Sequence, residues 1–337
     1  MKGNIYIATL PNGFFGSAGA SWKSLSADDI AIDLRGEGYN VQVVSISDLP
    51  DIDLKANDTV FYTSSDDESI RAYVKDHIYL ASKFCRVIPS FDALMAHENK
   101  GFQAIFRKKM GLGDLSGTYF FHLEDAPVNY PYVYKTSTGA GSSGVELIKK
   151  KGDEKKLSKN FRVGLYRRLA IFLRKMKLSL SEFAIYQYRH KGKCLSVSQE
   201  FVPGLDGDYK ILVFGNRFYV LLRKVANNSF KASGSGNFSF PGEKDVDSSV
   251  LDYAKDVFFK LDVPYASLDV AHSESQNYLI EYQATNFGPY TLLNSNGYFV
   301  FKGGRWGFVE GKSDLQKSFS MAMIDYLERK NVKSDQA

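Results

Sequence analysis

Residues 130–145 read YPYVYKTSTGAGSSGV. A lysine, Lys135, closes an apolar, β-rich run, and a stretch of Gly, Ser and Thr follows at once. A P-loop runs the other way, with its lysine after the glycines and at the head of a helix. Here Lys135 precedes Gly139, Gly141 and Gly144, and the VELIKK beyond them reads as a strand. The stretch is therefore strand, loop, strand: a β-hairpin. Its glycines permit close backbone approach, so the amides of Gly139, Gly141, Ser142, Ser143 and Gly144 could face phosphate oxygens, with Lys135 adding a point charge. An ordinary Gly/Ser hairpin tip fits the same letters equally well.

Working outward, the first hundred residues alternate strand and helix signals. NIYIATL, NVQVVSI, TVFYTSS and CRVIPS read as strands, and residues 21–39 and 66–82 as helices. That alternation argues for a parallel α/β sheet. A charged helical stretch spans 92–110, a solvated loop 151–160, and a basic amphipathic helix 161–178. From Glu182 onward FAIYQYR, LSVSQEFV, YKILVFGNRFYVLLRKV and SFKAS resemble an antiparallel meander. Residues 248–262 and the tail SDLQKSFSMAMIDYLERK are predicted helices. A second loop, GFFGSAG at 13–19, lacks the GxGxxG spacing, and the strand after it ends without a ribose-binding acid, which argues against a dinucleotide site. Loops at the ends of such strands are still good places for a substrate, and 12–22 and 64–67 are the expected acceptor region.

Asp269 lies in SLDVAHS and Glu281 in NYLIEYQAT, with Gln283 two residues on. Residues two apart in a strand share a face. If the two runs pair around SESQ, Asp269 faces Glu281 and Gln283, and two carboxylates with an amide oxygen form a half-shell suited to Mg²⁺. The alternative is a solvent-side hairpin, which the apolar neighbours make less comfortable.

Together these parts resemble the ATP-grasp superfamily, most closely glutathione synthetase and RimK-type carboxylate–amine ligases, over roughly residues 92–324. HENKGFQAIFRKKMGL is similar to the segment with the first nucleotide lysine, YPYVYKTSTGAGSSGV to the second lysine and its lid loop, and SQEFVPGLDGDYKILVFG to the adenine hinge and ribose acid. RKVANNSFKASGSG resembles the segment with the phosphate-side arginine, and LDVAHSESQNYLIEYQ the metal pair. The resemblance implies an α/β (α+β) chain: a Rossmann-like pre-ATP-grasp domain at 1–95, a first ATP-grasp subdomain at 96–198 with its lid at about 118–198, a C-terminal subdomain at 199–330, and a frayed tail at 331–337.

It further implies that Lys100 and Lys135 bind phosphates and that Gln199, Glu200, Phe201 and Val202 form the hinge. Asp208 would accept from the ribose, Arg223 would stabilise the γ-phosphoryl charge beside Lys135 and Lys210, and Asp269, Glu281 and Gln283 would hold Mg²⁺, with Mn²⁺ as a substitute. Three positions depart from the pattern: Gln283 replaces an asparagine, with Asn286 as a stand-in, Lys210 an arginine, and Ser233 an asparagine.

The implied activity is ATP-dependent amide or peptide bond formation through an acyl phosphate, releasing ADP and phosphate, in peptide or cell-surface polysaccharide modification. The alternatives are an ATP-grasp small-molecule kinase and a non-catalytic nucleotide-binding module. The partners are a small-molecule carboxylate and an amine, and a homodimer is the base-rate expectation. The net charge of +5 fits an anionic small ligand and falls short of a nucleic-acid binder. The two cysteines, Cys85 and Cys194, form no zinc motif and read as reduced thiols. No apolar run is long enough to span a bilayer, and the chain is expected to be cytoplasmic. The basic helix at 161–178 fits a lid helix with its apolar face on a small sheet better than a membrane-surface helix.

Overall fold

The chain begins as the hydrophobic pattern requires, with β1 (Ile5–Thr9) buried at every residue. It continues through α1 (Ala27–Gly36), β2 (Val41–Ser45), β3 (Thr59–Tyr62), α2 (Glu68–Ala81), β4 (Arg86–Ile88), α3 (Phe91–Ala96) and α4 (Lys100–Met110). Then come β5 (Gly117–Phe120), β6 (Tyr132–Thr136), β7 (Val145–Ile148), α5 (Leu165–Lys175), α6 (Leu180–His190) and β8 (Ser196–Glu200). The C-terminal third runs β9 (Gly207–Phe214), β10 (Arg217–Lys224), β11 (Phe238–Ser239), α7 (Ser248–Leu261), β12 (Tyr265–His272), β13 (Asn277–Gln283), α8 (Tyr290–Asn294), β14 (Gly297–Lys302), β15 (Arg305–Glu310) and α9 (Leu315–Ser334). This computed structural model describes residues 3–20, 22–113, 115–139, 144–226, 230–273 and 276–334.

The chain divides into two compact units, one of residues 1–98, 112–114 and 204–337, the other of 99–111 and 115–203. The larger unit holds two sheets. One is parallel, in the order β2-β1-β3-β4, as the alternating strand and helix signals require. Successive residues of β1 feed opposite cores: Ile5 and Ile7 pack with α1 and α9, Tyr6 and Ala8 with Val74 and Ile78 of α2. The second sheet runs β13-β12-β9-β10-β14-β15, with β11 on β10. Leu212, Phe214, Tyr219 and Tyr265 of that sheet join the core that contains Ile5, Ile7 and Phe319. That shared core makes the first and last thirds of the chain a single unit.

The smaller unit is built on an antiparallel sheet, β5-β8-β6-β7. The hairpin expected at 130–145 is present, with Lys135 opposite Val145. Gly144 sits at φ 70°, and a Cβ there would lie 2.4 Å from Thr136 Oγ1, so glycine is needed where the chain enters β7.

Several sequence expectations are corrected. FAIYQYR lies in helix α6, because Ser179 and Glu182 form a capping box: Glu182 N–H donates to Ser179 Oγ, and Ser179 N–H donates to the Glu182 carboxylate at 3.0 Å. The strand LSVSQEFV belongs to the small sheet and not to a meander with β9 and β10. Of SFKAS, Ser229 lies outside the described residues and the rest forms no strand. The solvated loop at 151–160 is largely a 3₁₀ helix with Leu157 fully buried. The stretch 92–110 is two helices, broken where Glu98 takes φ 48° and Asn99 Oδ1 accepts from Phe102 N–H at 3.0 Å to start α4. The hairpin β14–β15, turning at Gly303 and Gly304, adds to the expected elements.

Candidate functional site

In the larger unit, strand register gathers the charged residues. Asp208 and Lys210 are two apart on β9 and share a face. Lys210 pairs across the sheet with Asp269 of β12, Asp269 pairs with Glu281 of β13, and Asp208 pairs with Arg223 of β10. The expected hairpin between Asp269 and Glu281 is thus present, with a bulge just after Asp269. Arg223 is clamped. Its Nε donates to Asp208 Oδ1 at 2.6 Å, its Nη2 donates to Asp208 Oδ2 at 2.9 Å, and Nη2 also meets Asp269 Oδ2 at 2.9 Å. Lys210 Nζ stands 3.5 Å from Asp269 Oδ1.

The electrostatics follow from this packing. Burial opposes ionisation of Asp269, but Lys210 and Arg223 outweigh it and hold the carboxyl at about 2. Burial and the Asp269 charge push Asp208 up against the pull of Arg223. Burial alone would weaken the Arg223 charge, yet the two aspartates raise its pKa, and it stays protonated. Gly207 allows the close approach of β9 to β10 at this point, since a Cβ there would lie 2.3 Å from the Arg223 carbonyl oxygen. Gly207→Ala is therefore expected to destabilise the protein by about 1–3 kcal/mol and to shift Asp208. A denaturant melt checks this, and an unchanged midpoint would show that the strands part freely.

Asp269 Oδ1 is buried and, among the described residues, has Lys210 as an ion-pair partner but no hydrogen bond. An under-satisfied carboxylate oxygen with a second carboxylate directly across the ladder fits a divalent cation that takes its other ligands from water and phosphate. Gln283 is committed elsewhere. Its Oε1 lies 2.7 Å from His97 Nδ1, and its Nε2 donates to Glu98 Oε1 at 3.1 Å. Asn286 likewise donates to Asp66 Oδ1 at 3.2 Å. Both amides are thus engaged within the fold, and no group of three His, Cys, Asp or Glu side chains is placed for a metal among the described residues.

His97 and Glu98 are the residues that sequence reasoning missed, and they lie against Asp66 of the expected 64–67 segment. Burial lowers the His97 pKa, and its contacts with Gln283, Glu98, Asp66 and Ser65 only partly offset this. A histidine held neutral in the fold makes stability fall as pH drops below about 6.5, because only the unfolded chain then takes up the proton. The melting temperature is expected to decline over that range in the wild type and to do so less in His97→Gln. Equal declines would remove His97 from the account.

The expected acceptor loops follow β1 and β3, between which the strand order reverses. Gly16 N–H donates to Thr63 Oγ1 at 2.9 Å. Beside them a cavity of about 20 Å³, lined in part by Gly16, Thr63, Thr285 and Asn286, has room for a single water. Ser64 Oγ and Thr285 Oγ1 are buried without hydrogen-bond partners among the described residues.

In the smaller unit, Lys100 opens α4. Its backbone N–H donates to Ser137 O at 2.8 Å, and its Nζ donates to Gly139 O at 2.5 Å, on the loop that leaves β6. Lys135 is buried on that strand, between Val145 and Val197 of its neighbours. Gly141, Ser142 and Ser143 lie outside the described residues. Gln199 and Glu200 end β8, where Glu200 N–H donates to Ser116 O and its carboxylate accepts from Ser116 Oγ at 3.1 Å. Phe201 and Val202 leave the sheet half-buried.

No family model matches the chain, and no curated protein matches it. Solved structures do match in fold. The D-cycloserine synthetase DcsG superposes with a TM-score of 0.53 at 11% identity, covering 96% of this chain and all of that one. A Chryseobacterium gregarium RiPP-associated ATP-grasp ligase, solved with ADP and a leader and core peptide, gives 0.52 at 13% identity over 96% of this chain and 97% of that one. The protein has the ATP-grasp fold, as the resemblance of its sequence implied.

Proposed function

We propose that the protein is an ATP-dependent carboxylate–amine ligase, forming an amide or peptide bond through an acyl phosphate and releasing ADP and phosphate. The observation that carries this reading is Arg223, clamped by Asp208 and Asp269 beside the Lys210–Asp269–Glu281 row, in a fold shared with ligases. Phosphoryl transfer asks a protein for positioning and charge neutralisation, and these side chains supply both.

The substrate carboxylate attacks the γ-phosphorus and ADP leaves. The amine then attacks the acyl carbon, phosphate leaves, and the amine proton passes to solvent. No protein nucleophile is needed. Arg223 offers its charge and its Nη1 edge to the transferring phosphoryl group, while Nε and Nη2 stay on the aspartates. Asp208 gives both oxygens to that guanidinium, so we assign it the orientation of Arg223 in place of the ribose contact expected from the sequence. Lys100 and Lys135 bind phosphates, Lys210 balances Asp269, and Gln199 to Val202 receive the adenine. Asp269 and Glu281 are the residues that would hold magnesium, which when bound neutralises charge on the phosphates. Gln283 orients His97 and Glu98. The neighbour solved with ADP and a peptide supports an amino acid or peptide as one substrate.

The test is nucleotide turnover with Mg-ATP, pooled amino acids, peptides and uronic acids, and hydroxylamine. ADP with a hydroxamate is the expected result. AMP, or ADP with a stable phosphorylated product and no hydroxamate, overturns the ligase reading, the latter in favour of a kinase.

A further inference from the structure

The expectation that the basic helix lays its apolar face on the small sheet does not survive. Leu165, Leu169, Phe172, Leu173 and Met176 fall at i, i+4, i+7, i+8 and i+11, one stripe along α5. Every one of them is exposed, Met176 at 76%, and neither α5 nor α6 has a single buried residue. Tyr166, 93% exposed, and Leu180, 91% exposed at the start of α6, extend the apolar surface. A stripe of this kind normally faces a core. A contiguous exposed one marks an interaction site.

Charge narrows the partner. Residues 161–193 contain nine lysines and arginines against one acid, Glu182, a formal +8 in a chain whose total is +5. The rest of the protein is therefore acidic, and its basic character is concentrated in this hairpin. Arg174 lies over the Tyr186 ring at 5.7 Å, joining charge to aromatic surface. Behind the hairpin, a recess of about 670 Å³ is lined by Arg162, Arg168 and Lys191 together with Phe161 and Ile171.

We propose that the α5–α6 hairpin docks on an anionic lipid bilayer, lying in its surface. The inference is independent of the reaction proposed above. Nucleic acid would use the charge but leave the aliphatic stripe in water. A bilayer satisfies both: the stripe enters the acyl boundary while arginine and lysine stems rise to the headgroup phosphates. At eleven residues each, the two helices are too short to cross, and no helix among the described residues is long and apolar enough to do so.

The test is co-sedimentation of the full chain with vesicles of phosphatidylcholine alone and of phosphatidylcholine mixed with phosphatidylglycerol. The mixed vesicles are expected to bind at least about tenfold more tightly, an advantage that shrinks with added salt. The double change Phe172→Ser and Met176→Ser, at exposed positions, is expected to reduce that binding by about tenfold with an unchanged circular dichroism spectrum. Absence of binding to anionic vesicles overturns the proposal. So does full binding by the double variant, which would reduce the effect to charge alone. Soluble polyglutamate bound as tightly, and weakened equally by the double change, would replace the bilayer with an acidic protein partner.

Discussion

Arg223→Lys is expected to lower turnover by about 10²–10³-fold while leaving the protein folded. Lysine keeps the charge but not the planar fork. Two of the contacts that fix the guanidinium, from Nε and Nη2 to Asp208, are a bidentate pair that an ammonium cannot reproduce. The Nη2 contact to Asp269 is what ties the arginine to the metal-side row, and it is lost with the same change. Deleting the side chain altogether would leave the buried Asp208 and half-buried Asp269 carboxylates without their shared cation and cost about 3–5 kcal/mol, so Arg223→Ala would report on folding as much as on chemistry. Asp208→Asn provides the control. It keeps an oxygen acceptor for one arm of the fork and should give a smaller loss, expressed in kcat more than in KM, because it loosens a group that acts on the transferring phosphoryl. Turnover of Arg223→Lys within about threefold of wild type, a difference of about 0.7 kcal/mol in the barrier, would remove the arginine from the reaction.

How this site reads from sequence depends on the distance over which each contact is made. Asp269 and Glu281 sit twelve residues apart across a short polar turn, so a hairpin aligning them could be read directly, and the ladder places them directly opposite. Asp208 and Arg223 also lie on one hairpin, and the two-residue turn Gly215-Asn216 between its apolar runs sets the register that places them opposite each other. The resemblance assigns Asp208 to the ribose, whereas its contact with Arg223 follows from the ladder register. Gln283 and His97 are 186 residues apart, and their hydrogen bond exists only because the first and last thirds of the chain share one core. The helix α6 was within reach: Ser179 followed by Glu182 is a capping signal, and the alternating aromatics of FAIYQYR masked it. In α5 the expected amphipathic stripe is present, but the fold leaves it exposed. Amphipathic spacing specifies that a stripe exists and leaves open whether the fold covers it.

Glu281→Ala is expected to abolish magnesium-dependent turnover, with a loss of at least about 10²-fold. The reason lies in its place on the sheet. β13 is the terminal strand in the order β13-β12-β9-β10 and Glu281 is half-buried on it, so thermal stability should change less than on replacing a residue of the central strands. Asp269 is the opposite case. It lies inside the ion network, and replacing it would release Arg223 and Lys210 together, mixing structural damage with loss of function. Glu281 is thus the cleaner probe of the proposed cation. Calorimetric titration of ADP with and without Mg²⁺ should show a magnesium-enhanced affinity in the wild type that disappears in Glu281→Ala, with the magnesium-free affinity unchanged. Glu281→Asp keeps the charge on a shorter stem and should retain part of the enhancement. Glu281→Gln keeps the shape without the charge and should behave as the alanine variant does. A Glu281→Ala protein that still gains ADP affinity from magnesium would move the cation away from the Asp269–Glu281 pair, and the ladder contact between the two carboxylates would then be structural only.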